Sequence, residues 1–211
     1  MATTRTRLIL VALISCLATA AVTLLVNGSS GPPGDASPEA GFSRDMGVHH
    51  AQAVEMSFAV RDASTDPAIR GLSYDIITTQ TAQRGVFMGW LQQWGLNQAT
   101  TRPEMAWMAG HGHGTAAAAR APGTMPGMAS DEEMKRLQAA KGKAAEILFL
   151  QLMIRHHEGG VQMARGVLSL TNRPEVRTMA QHIVDTQDSE IAYMTELLQA
   201  RDAKPYPSIL K

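Results

Sequence analysis

Residues 42–95 and 149–202 of this 211-residue chain align without a gap at a constant offset of 107, with 14 of the 54 positions identical. The identities are Phe42/Phe149, Met46/Met153, His49/His156, His50/His157, Val54/Val161, Met56/Met163, Val60/Val167, Pro67/Pro174, Arg70/Arg177, Ile76/Ile183, Thr79/Thr186, Gln80/Gln187, Leu91/Leu198 and Gln92/Gln199. An ungapped match that runs through a Pro-containing turn marks an internal duplication. Whatever one copy folds into, the other must fold into as well, and the two must bury each other.

Each copy reads as two helices. The first spans about residues 42 to 62. In the turn STDP, Asp66 is an N-cap and Pro67 takes the first helical position. The second helix carries Ile69, Leu72, Ile76, Thr79, Gln83, Val86 and Trp90 at spacings of three and four, and its copy carries Val176, Met179, Ile183, Thr186, Glu190, Tyr193 and Leu197. No stretch alternates as a strand does. Two helical hairpins that cannot bury their apolar faces alone pair into a four-helix bundle, so the expected fold is all-α. The low aromatic content, 5%, suits small helical packing.

Four segments frame the duplication. Residues 1–26 hold Arg5 and Arg7 followed by an uncharged run over 8–26, LILVALISCLATAAVTLLV. Basic residues before a run of this length predict export of the remainder, either on an uncleaved membrane anchor or after cleavage at Ala18-Thr19-Ala20. The lipoprotein-like LISC at 13–16 is the weaker reading, because the apolar run continues past Cys16. Residues 27–41 form a Gly/Pro/Ser linker, and 42–202 is the duplicated domain: repeat 1 at 42–95, a Met/His-rich connection at 96–148, and repeat 2 at 149–202. Within the connection, DEEMKRLQAAKGKAAEILF predicts a short helix and then the start of the third long one.

The chemistry lies in a repeated word, MGVHHAQAVEM at 46–56 and MIRHHEGGVQM at 153–163. At 100° per residue, with Met46 at zero, His49 falls at about −60°, His50 at about +40°, Ala53 at about −20° and Met56 at about −80°. One helix face therefore presents Met46, His49, His50 and Met56 around a small residue. The other copy presents Met153, His156, His157 and Met163 around Gly160. Read as structure, such a face is core filling by adaptable methionine, with histidines hydrogen-bonded to polar groups on the neighbouring helix. Gln83 and Glu190, with Thr79, Gln80, Thr186 and Gln187, are the available partners.

Read as chemistry, the face is a metal site. Both histidines and both methionines recur although most neighbours changed. The connection adds Met105, Met108, His111, His113, Met125 and Met128 as secondary candidates. Cys16, the only cysteine, lies in the N-terminal apolar run, so the exported domain has no thiolate. Soft-ion binding then falls to thioether and imidazole, a donor set that favours Cu(I) and also accepts Cu(II) or zinc.

Other chemistries lack their residues. No Glu precedes a His by three positions, as a carboxylate-bridged di-iron bundle requires. There is no C-x-x-C-H, no H-E-x-x-H, no Ser/His/Asp constellation and no Gly-rich phosphate loop, so no enzyme is expected. With 19 basic and 19 acidic residues, nothing in the net charge favours nucleic acid. A symmetric homodimer remains open, since each helix face could also be reached from a second copy.

These motifs resemble a bacterial family, the domain of unknown function 305 family. Its units look like M-I-x-H-H-x-x-A-[VI]-x-M-A, then D-P-x-[VI]-R, then a T/S-Q-x-x-E-I-x-x-M helix. MIRHHEGGVQMA at 153–164, TQDSEIAYM at 186–194, MGVHHAQAVEMS at 46–57 and TDPAIR at 65–70 match it, and MPGMASDEEMKRL at 125–137 is similar to its connector. The first copy departs from the pattern in having Gln83 where the family has Glu, and Gly47-Val48 after Met46. The resemblance covers residues 42 to 200. It implies a ferritin-like four-helix bundle, exported, in a family that includes periplasmic copper-binding proteins contributing to copper tolerance. The candidate ligands it implies are Met46, His49, His50, Met56, Met153, His156, His157 and Met163.

Overall fold

A computed structural model describes residues 6, 9, 11–19, 31–109 and 125–210 of the chain. It divides into two compact units, Met1–Pro33 and Gly34–Lys211. In the first, residues 11–19 are helical and the rest of the apolar run at 8–26 is mostly outside the described residues. No helix among the described residues is long and apolar enough to cross a membrane.

The second unit is built from α1 (Pro38–Ala63), α2 (Pro67–Gln93), a 3-10 turn (Ala106–Met108), α3 (Asp131–Ala139), α4 (Gly142–Leu170) and α5 (Pro174–Gln199). Among the described residues there is no strand. The long helices α1, α2, α4 and α5 make a four-helix bundle from two hairpins, α1–α2 and α4–α5, joined along α1 and α4.

Local signals set the ends of the elements. Asp66 caps α2, accepting from the Ala68 and Ile69 amides at 2.8 and 3.2 Å. Ser130 and Glu133 form a reciprocal capping box on α3. The first helix begins at Pro38, four residues before the expected start, inside the expected linker. The reason is local: the Ser37 hydroxyl accepts from the Ala40 amide at 3.2 Å, and Pro38 fits the first turn, where no N–H is needed.

Arg70 and Arg177 lock the two hairpin turns in the same way. Arg70 donates to the carbonyls of Arg61 (2.7 Å) and Ser64 (3.4 Å), and Arg177 donates to those of Leu168 (2.5 Å) and Thr171 (3.0 Å). Every residue of one set lies 107 positions from its counterpart. The hairpins also grip each other reciprocally. Ser64 donates to Glu146 at 2.6 Å, and Thr171 donates to Glu39 at 2.5 Å. These two contacts make α1 and α4 antiparallel and fix their register.

The second-helix stripes shift by one residue partway along. Ile69, Leu72 and Ile76 are buried as expected, but the buried line continues through Gln80, Gln83, Phe87 and Leu91. Val86 is exposed. On α5, Met194 and Leu198 are buried where Tyr193 was expected, and Tyr193 is exposed. A helix turns 3.6 residues per repeat, so its buried line must move by four more often than by three.

Buried apolar side chains form two clusters. One holds Phe42, Met46, Phe87, Leu91, Trp107, Met163 and Val167, and the other holds Met56, Ile69, Ile76, Phe149, Leu152, Met153 and Met194. Along α1 and α4 the histidine pairs fall between them.

Candidate metal centre

The register of α1 against α4 determines what meets at the middle. With Glu39 opposite Thr171 and Ser64 opposite Glu146, Met46 is level with Met163 and Met56 with Met153. Each level therefore carries one thioether from each repeat, and each mixed pair sits within one apolar cluster. All four methionines and all four histidines are completely buried. Between the two levels, the rings of His49 and His156 stack with centroids 3.7 Å apart and planes tilted by 33°.

Outer contacts hold three of the imidazoles. His50 Nε2 lies 2.7 Å from Gln83 Oε1, and His157 Nε2 lies 2.7 Å from Glu190 Oε2. His49 Nε2 lies 3.0 Å from the Pro126 carbonyl. An oxygen that only accepts requires the ring nitrogen to donate, so these three rings carry their proton on Nε2. In a neutral ring Nδ1 then holds a free lone pair, and none of these three Nδ1 atoms has a hydrogen-bond partner. His156 has no partner on either nitrogen. Gln80 and Gln187, on the same buried lines of α2 and α5, also keep unpartnered amide atoms.

Three of the rings, His49, His50 and His156, are held neutral. Burial pushes His49 down to about 4, partly offset by its bond to Pro126 and reinforced by His157. Burial, then the neighbouring His49, pushes His50 down to about 3. Burial and the other three histidines hold His156 well below the ordinary imidazole range. A neutral imidazole with an unshared lone pair is the form that ligates a metal.

The connection closes one side of this cluster. Gly127, at φ 80°, and Gly159 let the Pro126–Gly127 backbone lie directly on α4: a Cβ on Gly159 would collide with the Pro126 carbonyl, and one on Gly127 with the Arg155 carbonyl. Gln52 clamps Ala129 with two bonds, of 2.9 and 2.7 Å, and Arg155 forks onto Glu133 at 2.9 and 2.6 Å. Gly160, in place of a larger residue, admits the Gln187 side chain.

The four methionines among the secondary candidates pack onto the bundle. Met125 is buried, and Met105, Met108 and Met128 pack against the bundle core. Met108 reaches Gly166 so closely that a Cβ there would stand 2.6 Å from its Cε. These four methionines therefore serve the packing of the bundle. His111 and His113 lie outside the described residues.

Two features of the site were not anticipated in the sequence. A main-chain oxygen, Pro126, has no side-chain signal at all. The tail beyond α5 returns along α4, where the Ile209 amide donates to buried Glu158 at 2.8 Å and the Lys204 carbonyl accepts from Gln151 at 2.8 Å.

As packed, no three His, Cys, Asp or Glu side chains among the described residues form a preformed metal cage. The donor chemistry nonetheless fits a soft or borderline ion. Five buried imidazole nitrogens lack a partner, and thioether pairs lie on both sides of them.

Residues 39–198 match the family described as domain of unknown function (DUF305). No curated protein matches the chain. Among solved structures, a protein of this family from Streptomyces coelicolor, described as a candidate secreted protein, is 44% identical, with 82% of this chain and 99% of that one covered and a TM-score of 0.75. A fragment from Deinococcus radiodurans of the same family is 34% identical, covering 77% and 96%, with a TM-score of 0.62. CopM in its Cu(II)-bound form is 27% identical, covering 78% and 97%, with a TM-score of 0.56. CopM is also known in Cu(I)-bound, Ag-bound and apo forms. On the extent of the family match and the identity to its solved members, the chain belongs to the domain of unknown function 305 family.

Proposed function

We propose that this chain is an exported copper-binding protein that buffers or passes on copper through Met46, His49, His50, Met56, Met153, His156, His157 and Met163. The observation that carries this reading is the set of five buried, unpartnered imidazole nitrogens on four neighbouring rings. Leaving a buried polar atom unpaired costs about 1–3 kcal/mol, and a bound cation is a partner that would remove that cost at the nitrogens that carry a lone pair. Three further points support it: three of the rings held neutral, thioethers levelled on either side, and a copper-bound neighbour of the same fold at 27% identity. Export is supported by the basic-then-apolar N-terminus and by the solved relative described as a candidate secreted protein.

A second reading has its own observation. The three outer hydrogen bonds, to Gln83, Glu190 and Pro126, are what a purely structural histidine core would contain. His156 separates the two readings, because it makes no such bond.

The test is a Cu(I) and Cu(II) competition titration of the purified chain against chromogenic chelators. It is run beside a His156→Leu variant and a variant with all four histidines changed to Ala. The copper reading expects tight binding that falls in His156→Leu, while the melting temperature of the metal-free protein holds or rises. Absence of tight binding in the unmodified chain, with no metal-dependent rise in melting, would leave the histidines as core hydrogen-bonders.

A further inference from the structure

The duplication allows the two halves of the histidine cluster to be compared position by position. His50 and His157 are equivalent, and each places Nε2 2.7 Å from an oxygen on the neighbouring helix. The geometry is the same, but the chemistry is not. On α2 the oxygen belongs to the amide of Gln83, and on α5 it belongs to the carboxylate of Glu190.

The next residue widens the difference. Arg84 stands close enough to His50 for its positive charge to depress that ring further. The equivalent position on α5 is Ile191, which is uncharged and packs against the core. One half therefore faces an amide and a cation, and the other faces a carboxylate and an alkyl chain.

For a buried cation this difference is large. A carboxylate that accepts the outer N–H of a ligating imidazole makes the ring a stronger donor and supplies opposite charge near the ion. An amide orients the ring equally well but supplies neither. The benefit grows with the charge on the ion, so it is greater for Cu(II) than for Cu(I).

We infer that Glu190 makes the two halves unequal, so that the His157 half takes the first ion and selects for Cu(II), while Gln83 leaves the His50 half weaker and more tolerant of Cu(I). This rests on the copper reading above. Glu190 acts through His157 as a positioning and charge-compensating residue, with its Oε2 on His157 Nε2 rather than on the ion.

The experiment compares the unmodified chain with Glu190→Gln and Gln83→Glu. Each is titrated with Cu(I) and with Cu(II) against chelators of known affinity, and each metal-free protein is checked by far-UV circular dichroism and thermal melting. Glu190→Gln should weaken the tightest Cu(II) site by about 10- to 100-fold and Cu(I) by much less. Each tenfold difference between the two ions raises the copper reduction potential by about 59 mV. Gln83→Glu should strengthen a second Cu(II) site, with a second Cu(II) signal in electron paramagnetic resonance. A purely structural role for Glu190 would change melting and leave the ratio of the two affinities, and hence the potential, where it was. Equal losses for both ions in Glu190→Gln, or no gain in Gln83→Glu, overturn the inference while the copper reading stands. No copper binding by the unmodified chain overturns both.

Discussion

His49 and His156 are the same residue of the same repeated word, stacked 3.7 Å apart, yet their nitrogens are treated differently: His49 holds the Pro126 carbonyl and His156 holds nothing. The duplicated helices alone would give the two rings matching surroundings. The difference comes from a segment outside the duplication, the connection that crosses α4 at Gly159 and is clamped by Gln52 and Arg155. A symmetric bundle thus carries an asymmetric polar centre, and the physical consequences of that centre can be tested one by one.

The first consequence is acid sensitivity of the metal-free protein. In the unfolded chain these imidazoles take up protons near the ordinary value of 6.5, but folded His49 does so only near 4 and His50 only near 3. Above pH 7 both states are neutral at these sites and stability is independent of pH. Below about 6.5 the unfolded state binds more protons, so stability falls with pH until the folded rings titrate. His49 alone accounts for about 3 kcal/mol over that window, a large share of an ordinary domain's stability. Denaturant melts in chelator between pH 7.5 and 4.5 should show a steep loss below 6.5. A curve flat to pH 4.5 would mean that the rings are not held neutral by burial.

The second concerns how closely the connection lies on α4. Gly159→Ala sets a methyl group against the Pro126 carbonyl, which is backbone and cannot swing away as a side-chain tip can. Overpacking of this kind costs about 1–3 kcal/mol. Gly47→Ala on α1 has open space around it and should be neutral or stabilising by up to about 1 kcal/mol, since alanine is the better helix former. Comparable melting temperatures for the two variants would show that the Pro126–Gly127 segment does not rest on α4 as described.

Much of this architecture was legible from periodicity. Helix number, hairpin pairing and the set of polar residues from which the histidine partners Gln83 and Glu190 come follow from a 107-residue offset and the 3.6-residue turn; which member of that set meets which histidine is decided by packing. The start of α1 is hidden in the sequence because Gly34, Ser37 and Pro38 look like linker composition, although Ser37 and Pro38 are also a helix start. Val86 and Tyr193 are both apolar enough to extend a three-four stripe, and only packing decides which neighbouring row is buried. The Pro126 contact was invisible for a different reason: a carbonyl oxygen is common to every residue, so no side-chain pattern announces it.

A third prediction follows from the reciprocal contacts that set the register of α1 against α4. Ser64 and Thr171 are equivalent, and each donates to a buried glutamate. Glu146 has a second partner in Arg201, at 2.8 Å, whereas Thr171 is the partner that Glu39 Oε1 has. Thr171→Val should therefore cost more than Ser64→Ala, by about 1–3 kcal/mol, the usual penalty for an unsatisfied buried acceptor. Urea titrations of the two variants measure the difference directly, and equal losses would mean that Arg201 does nothing to hold Glu146.

The thioethers give the most discriminating prediction, because leucine can replace methionine at nearly constant volume, usually for less than about 1.5 kcal/mol. Met46 and Met163 form one mixed pair and Met56 and Met153 the other, each drawn from both repeats. Changing one pair to Leu should leave the fold intact, since the positions are wholly buried and apolar contacts are kept. If sulfur binds copper, each double variant should lose Cu(I) affinity by roughly tenfold or more, about 1.4 kcal/mol, and Cu(II) affinity by less, because thioether prefers the softer ion. If the methionines are core filling alone, even the quadruple Leu variant will keep its Cu(I) affinity, and the imidazoles will have to hold the ion without sulfur. Loss confined to one double variant would place the ion at that level of the α1–α4 interface, beside one apolar cluster and away from the other.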